Sequence, residues 1–559
     1  MTGTTPSLTG LSPALAKAFR RHGYTVPGLE DALGSDAVDA LGRSDAAFVR
    51  RSARGAGATG ALLRLFVLGD ALPRSEVEAL LTDVAVSDGV RAGLWECAAD
   101  AVRALVDLRP VDLGHGTRWI FSDVDGSMVH TVTRPDHVLG VGQATLSLLR
   151  ITPSSPVGSV LDLGTGSGVQ LVHALDSGAA GTGTDITPRC LELAEATLAI
   201  NSLSGELLRG PWFEPVSGRR FDRIVANPPF VVGPPETGHS YRESGLSLDG
   251  ASRTVVSEAP EFLADGGTAV MLASWVEREE VDWRTHVASW IPAEGVDAWI
   301  LRRDTSDPGL YVWTWLTDEG MDPRDESMWR AADRWLDHFR DNDVAGIGFG
   351  YVYLRRVDGP SSVLCEDLSH PFDAGLGDEA EAYFGRTAWL RETAERLGGE
   401  DVALNSTVFT LSPDVRLHVS ESLAPTPLAP TDAEGGPSES ETVVVERVTG
   451  ARWRHEIDRF TATVLRGART GALPLEDLVI LAAAATGADP DELSGPVRRV
   501  VADLFLHGVL VPVGVPGLVP PGAAALSASD RAAPRQSDEV APRQSDESDL
   551  PPSDEERGT

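Results

Sequence analysis

Apolar residues recur along this chain with two different periods, and the change between them divides it. From about residue 10 to 110 the spacing is helical. ALLRLFVLGDALPRSEVEALL reads as helix, turn, helix, with Pro73 early in the second helix. AVRALVDLRPVDLGHGTRWIFSD then alternates like two strands around a Gly-rich turn. Helices followed by a hairpin suit a small helical, winged-helix-like domain, assigned to residues 1–125.

Over residues 126–360 short apolar runs alternate with helical segments. SVLDLG, GTGTDI, DRIVANP, GGTAVMLA, DAWILRR and GYVYLRR are the strands; VQLVHAL, RCLELAEATLAINSL and SRTVVSEAPEFL are helices between the early ones. This order predicts an α/β fold with a doubly wound, Rossmann-like parallel sheet covered on both faces. MDPRDESMWRAADRWLDHFRDN reads as an added amphipathic helix before the last strand. Residues 361–520 are expected to form a mixed C-terminal domain. In it NSTVFTLSPDVRLHVSESLA alternates like a hairpin, an acidic Pro/Ser linker occupies 423–441, and a second helical or winged-helix-like block ends in VADLFLHGVLVPV. The Pro-, Ser- and acid-rich tail, 521–559, repeats APRQSDE and is too polar to bury a core, so disorder is expected there.

Composition narrows the functional classes. With 559 residues, 42% hydrophobic and 23% charged, the chain is globular and long enough for several folded units. A formal net charge of −35 repels nucleic acid at long range unless a local basic patch intervenes. Arg50, Arg51, Arg54 and Arg64 form the one notable basic cluster near the N-terminus, read first as a solvated helix face. Cys97, Cys190 and Cys365 are odd in number and far apart, which fits a reducing cytoplasm. No window reaches the roughly 18 uninterrupted apolar residues of a membrane span, so no membrane partner is expected. His115, His130 and His137 lack metal-ligand spacing and are read as ordinary histidines, so no metal is expected. Trp275, Trp283 and Trp290 are read as packing residues.

Candidate chemistry begins at VLDLGTGSGVQL, a strand that ends in a glycine-rich loop and opens a helix. Val169 stands where a dinucleotide fingerprint would need its third glycine, and no GK[ST] follows. The parts suit S-adenosylmethionine. Gly164, Gly166 and Gly168, with Thr165 and Ser167 between them, let the backbone approach the ligand. The helix start beyond Gly168 offers N–H groups to its carboxylate. Asp162 can receive its ammonium, directly or through water. Asp185, with Ile186 beside it at the end of the next strand, can accept the ribose hydroxyls.

The run FDRIVANPPFVVGPPE stops a strand with an amide, two rigid rings and an aromatic. In a doubly wound sheet this loop lies beside the glycine loop. An amino group on a conjugated system is a poor nucleophile, so a site that methylates it must hold both hydrogens and aim the nitrogen. The Asn227 side-chain oxygen can accept one hydrogen and the Pro228 carbonyl the other. Pro229 keeps the loop rigid, and Phe230 can stack on the planar group. No titratable base is required.

LDLGTGSG, GTD, FDRIVANPPF and LADGGTAVML together resemble the class I S-adenosylmethionine-dependent methyltransferases with an [ND]-P-P-[YFW] motif, over residues 126–357. The resemblance implies methyl transfer to a planar nitrogen. It implies cofactor roles for Asp162, Gly164, Gly166, Gly168 and Asp185, and amine-holding roles for Asn227, Pro228 and Phe230. The downstream pattern through Asp249-Gly250 looks most like the HemK-type protein-glutamine methyltransferases. Phe230 replaces their usual tyrosine, a form more frequent among RNA-modifying relatives. Gly210-Pro211-Trp212-Phe213 replaces their G-D-L-F, so the acid that touches the adenine is missing, and Trp212 is read as a packing residue. In such relatives the segment before the core covers the pocket, which makes Gln143 and Thr145 candidates to reach it. Three readings stay open. The first is a protein glutamine acceptor, favoured by the acidic chain; the second is an exocyclic amine of RNA or DNA; the third is a cofactor-binding scaffold without catalysis.

Overall fold

Eight strands form the central sheet of the computed structural model, which describes residues 6–129, 134, 136–229, 231–234, 246–318, 320–368, 370–372, 375–421, 441–515 and 517–518. They are β1 (Ser159–Leu163), β2 (Ala180–Asp185), β3 (Glu206–Arg209), β4 (Phe221–Ala226), β5 (Leu263–Glu277), β6 (Glu294–Ser306), β7 (Gly346–Pro360) and β8 (Ser362–Asp367). Their order is β8-β6-β7-β5-β4-β1-β2-β3. β7 runs antiparallel to both of its neighbours, while every other pairing in the sheet is parallel. Period-2 alternation sorts the side chains. Leu161, Ile224, Met271 and Ile300 enter the core on one face, and Val160, Val225, Val270 and Trp299 that on the other. All six strands read from the sequence are present. β3 and β8 were not foreseen, because each is short and only partly buried. β8 lies beyond the expected boundary at residue 360, yet pairs with β6.

The helices that position the site are α1 (Gln143–Ile151), α2 (Val169–Asp176), α3 (Pro188–Ile200) and α4 (Gly250–Glu258). Between β6 and β7 stands a helical pair, α5 (Pro308–Asp318) and α6 (Glu326–Asp341). The second matches the expected amphipathic helix; the first is an addition.

The N-terminal residues correct one expectation. The hairpin Val106–Asp112/Thr117–Asp123 exists, but it docks on α3 rather than serving as a wing. Phe121 donates its N–H to Thr197 at 3.0 Å, and Asn201 both accepts from the Trp119 N–H and donates to its carbonyl. An earlier, shorter pair, Trp95–Ala98 and Ala101–Ala104, is joined at its edge by Leu72–Pro73. Because Leu193, Ala196 and Ile200 share a core with the N-terminal helices, this part is packed onto the central sheet domain.

A second correction concerns the hairpin expected over 404–423: its described strands do not pair with each other. Phe409–Leu411 pairs with Leu510–Pro512, and Val415–Glu421 with Glu441–Arg447. Local alternation finds strands but not their partners when both runs face the same core. Helices Arg459–Ala468, Leu475–Thr486 and Pro490–Leu506 complete this C-terminal part. The expected linker at 423–441 falls almost wholly, and the tail from 521 entirely, outside the described residues.

Candidate active site

Register brings the candidate residues to one edge of the sheet. Asp162 pairs with Val225, Leu163 with Ala226, and Leu163 with Thr184, so β1, β2 and β4 end together. The glycine loop, Asp185 and Asn227 therefore sit side by side, as ligands of such sheets require.

The loop after β1 needs glycine for backbone reasons. Gly164, Gly166 and Gly168 have φ of 73, 52 and 85°, where a side chain is strained. A Cβ on Gly164 would meet open space, whereas one on Gly168 would come within 3.4 Å of Ala194 on α3. Gly164 and Thr165 both donate their N–H to the Thr184 carbonyl, which ties the loop to β2. Thr165 and Ser167 are buried. The first turn of α2 has no side chain from Gly168 capping it, which leaves N–H groups for an anion.

Asp162 does more than was foreseen. Its Oδ2 accepts from the Thr165 hydroxyl at 2.6 Å and the Leu171 N–H at 3.1 Å, so it clamps the loop from within. Burial pushes its carboxyl up to about 7; these two donors oppose the shift and the Asp185 charge adds to it. No cation is paired with it among the described residues, and neither of its two hydrogen bonds uses Oδ1. Asp185 also serves the backbone. Oδ2 accepts from the Gly166 N–H at 3.1 Å, and Oδ1 from the N–H and hydroxyl of Thr187. Oδ2 keeps one lone pair for a ribose hydroxyl; Oδ1 would exchange its Thr187 hydroxyl for another. Ile186 presents an exposed apolar side chain at the same strand end. An apolar face, a hydroxyl acceptor, a buried unpaired carboxylate and open helix N–H groups fit the parts of S-adenosylmethionine.

Asn227 extends β4. Pro228 is buried, Pro229 half-buried, and Phe230 lies outside the described residues. The Asn227 Oδ1 is buried and has no hydrogen-bond partner among the described residues. An acceptor left in that condition costs about 1–3 kcal/mol.

Other candidates fall as follows. Thr145 accepts from the Gln170 side chain at 2.9 Å, which sets α1 against the first turn of α2, while Gln143 is exposed. Trp212, at φ 45°, packs half-buried against the core. Asp249 accepts from the Val276 N–H and is bonded to His286, an assignment within the scaffold. Trp275, Trp283 and Trp290 are buried. His115 meets Ser177, His137 is buried, and His130 lies outside the described residues. Among the described residues no group of three His, Cys, Asp or Glu could hold a metal ion, and no helix is long and apolar enough to cross a membrane. Arg50 and Arg64 share the one carboxylate of Asp70, at 2.9 and 2.8 Å, which offsets one of the four charges of the basic cluster. Sequence reasoning missed Tyr311 and Trp335, which contact the segment after the motif; the aromatic density of LYVWTW was a signal for Tyr311, and Trp335 lies on the amphipathic helix already read.

Sheet order, glycine loop and motif edge together define a class I methyltransferase domain. A model for the Methyltransferase small domain matches residues 139–279. Two domains of unknown function match at its sides, DUF7059 over 21–105 and DUF7782 over 381–512. The release factor glutamine methyltransferase of Xylella fastidiosa is 32% identical over 216 residues, 35% of this chain and 77% of that protein. The ribosomal RNA small subunit methyltransferase C of Salmonella arizonae is 31% identical over 220 residues, 38% of this chain and 58% of that protein. The corresponding enzyme of Alcanivorax borkumensis is matched over only 32% of its length, so the chain spans less than two thirds of either of these ribosomal RNA methyltransferases. A solved T. thermophilus 16S rRNA N2 methyltransferase, in complex with AdoMet and guanosine, is 20% identical with a TM-score of 0.26, covering 45% of this chain and 66% of that one. The chain belongs to the class I S-adenosylmethionine-dependent methyltransferases.

Proposed function

We propose that this protein transfers a methyl group from S-adenosylmethionine to a planar amide or amino nitrogen, and that its acceptor is a glutamine side chain of a protein. The observation that carries the reading is the buried, unpartnered Oδ1 of Asn227 beside the glycine loop. S-adenosylmethionine supplies an electrophilic methyl on a sulfonium. The protein's part is to hold the nucleophile. Asn227 Oδ1 would accept one N–H of the acceptor and the Pro228 carbonyl the other, which leaves the nitrogen lone pair free to point at the methyl. As the N–C bond forms the S–C bond breaks, and the nitrogen gives up one of its two protons to solvent. Positioning is the main catalytic contribution, with electrostatic support at the nitrogen second. Asp162 and Asp185 orient the cofactor at its ammonium and ribose.

A protein acceptor is supported by the net charge of −35 and by Asp70, which offsets part of the Arg50 and Arg64 charge. The relative matched over most of its length is a glutamine methyltransferase by name. A second reading, the exocyclic amine of a nucleic-acid base, is favoured by Phe230 in the motif and by the names of the ribosomal RNA relatives. Tritiated cofactor and a cell extract separate them. Label that is lost to protease supports the first reading, and label that is lost only to nuclease replaces it with the second. Asn227→Ala should bind the cofactor within about twofold of wild type and lose turnover by 10²-fold or more, on the scale of one lost transition-state contact. Unchanged turnover would sink the amine clamp.

A further inference from the structure

The segment that follows the motif is fastened from a distance. β5 continues past Met271, the partner of Ala226 at the end of β4, as far as Glu277. There it meets Gly346 of β7, whose neighbour Ile347 pairs with Ser306 of β6. The three strands thus rise beyond the motif as a wall, and α5 and α6 pack on it. Tyr311 of α5 lies among Trp335, Phe339 and Phe349, with ring centroids 6.2, 6.0 and 5.9 Å away.

Into this aromatic cluster the chain sends Val232, fully buried beside Val276 and Ile347. Its N–H donates to the Tyr311 hydroxyl at 2.7 Å. The next residue, Gly233, lies under Trp335, where a Cβ would come within 2.9 Å of the ring. The Gly233 carbonyl accepts from the Leu248 N–H at 3.4 Å. The motif is therefore anchored at both ends, by the ladder of β4 before Asn227 and by the α5–α6 pair after it.

Resting on the reading of Asn227-Pro228 as the amine clamp, we propose that Tyr311 is a positioning residue for methyl transfer: its hydroxyl and the Trp335–Gly233 contact set where the motif loop holds its acceptor. The prolines remove internal freedom from the loop but do not fix its place against the cofactor edge. An anchor beyond them does. A displacement of about 1 Å at a group that aims a reacting nitrogen costs on the order of 10²-fold in rate, so loosening this anchor lowers turnover without touching either ligand.

The test is Tyr311→Phe, which keeps the ring and removes the oxygen. Methyl transfer from tritiated cofactor into a protein extract should fall at least tenfold in maximal rate. The half-saturating extract concentration and the calorimetric affinity for S-adenosylhomocysteine should stay within about twofold. Amide exchange at Val232 should quicken at least tenfold while that of Ile224 is unchanged. A second route avoids Tyr311. Gly233→Ala should lower the maximal rate through the Trp335 clash, and Trp335→Leu in the same chain should restore most of it. Asn227→Ala serves as the control. If it keeps full turnover, the clamp reading has failed, and with it the role assigned here. If it is inactive while Tyr311→Phe matches wild type in rate and in Val232 exchange, the anchoring proposal alone is overturned. A uniform loss of stability, affinity and rate, or no rescue by Trp335→Leu, would make the contact merely structural and overturn it as well.

Discussion

Asp162 and Glu379 are both fully buried carboxylates, and their surroundings drive them in opposite directions. Glu379, on helix Leu376–Leu397, receives Arg386 and Arg447 at 2.6 Å each, all three side chains without exposure. Burial works to raise its pKa, but the two guanidiniums outweigh it and hold the carboxyl below the usual range. Around them Asp414 takes Arg447 Nε, and carbonyls of Leu506, His507 and Leu518 accept from the two guanidiniums, while Arg447 Nη2 has no partner among the described residues. Asp162 has only a hydroxyl and an N–H, and burial wins, raising it to about 7. The first site balances its charges within the protein, Glu379 and Asp414 against Arg386 and Arg447. The second has a charge demand that the chain leaves unmet, which is what separates a binding site from a structural ion pair.

The largest way to break this contrast is Glu379→Gln. It leaves the buried Arg386 guanidinium without a countercharge and Arg447 with Asp414 alone, and should destabilise the protein by about 3–5 kcal/mol in a denaturant titration. Next comes Asp162→Asn, which keeps the acceptor for Thr165 and Leu171 but cannot carry charge. It should fold normally and bind S-adenosylmethionine at least tenfold more weakly by calorimetry, since an ammonium loses its anion. A third test reads pH. Ionised Asp162 is the form that receives an ammonium, so wild-type affinity for S-adenosylmethionine should weaken toward tenfold per pH unit below 7, and the Asn variant should lose this slope. Stability gives the sign independently. The Asp162 carboxyl is raised in the folded state, so its contribution is present below its unfolded pKa and disappears as pH rises through about 7. Glu379 is lowered, and its contribution disappears instead as pH falls below the usual carboxylate range. Thermal unfolding of the ligand-free protein from pH 5 to 8 should show the first slope, and Asp162→Asn should flatten it. The smallest effect belongs to Arg51→Ala with Arg54→Ala. These exposed arginines lie outside both networks, so stability should stay within about 0.5 kcal/mol and transfer to protein should not change.

Much of the central domain is legible in the residues because its strands are buried on both faces. Continuous apolar runs such as SVLDLG and DRIVA can be little else when helices separate them. The glycines at 164, 166 and 168 are legible for a related reason, since positive φ restricts the residue type locally. Pairing across long gaps is not legible. Val415–Glu421 pairs with Glu441–Arg447 rather than with the nearer Phe409–Leu411, and the regular hairpin at 106–123 docks on α3. Alternation records which face is apolar and says nothing of which strand will meet it.

From its sequence alone this protein determines a methyltransferase-type sheet, a glycine loop, an acid at the end of each of two strands, and a rigid Asn-Pro-Pro turn. Those features are local, because backbone conformation and strand periodicity are decided by neighbouring residues. Tertiary structure alone decided what each charge and hydroxyl does. It put Thr165 and Leu171 on Asp162, spent Arg50 and Arg64 on Asp70, and brought Tyr311 to the Val232 N–H. Some of these partners are near in the chain and Tyr311 is far from Val232, but in each case burial and hydrogen-bond demand, rather than a spacing rule, choose the partner.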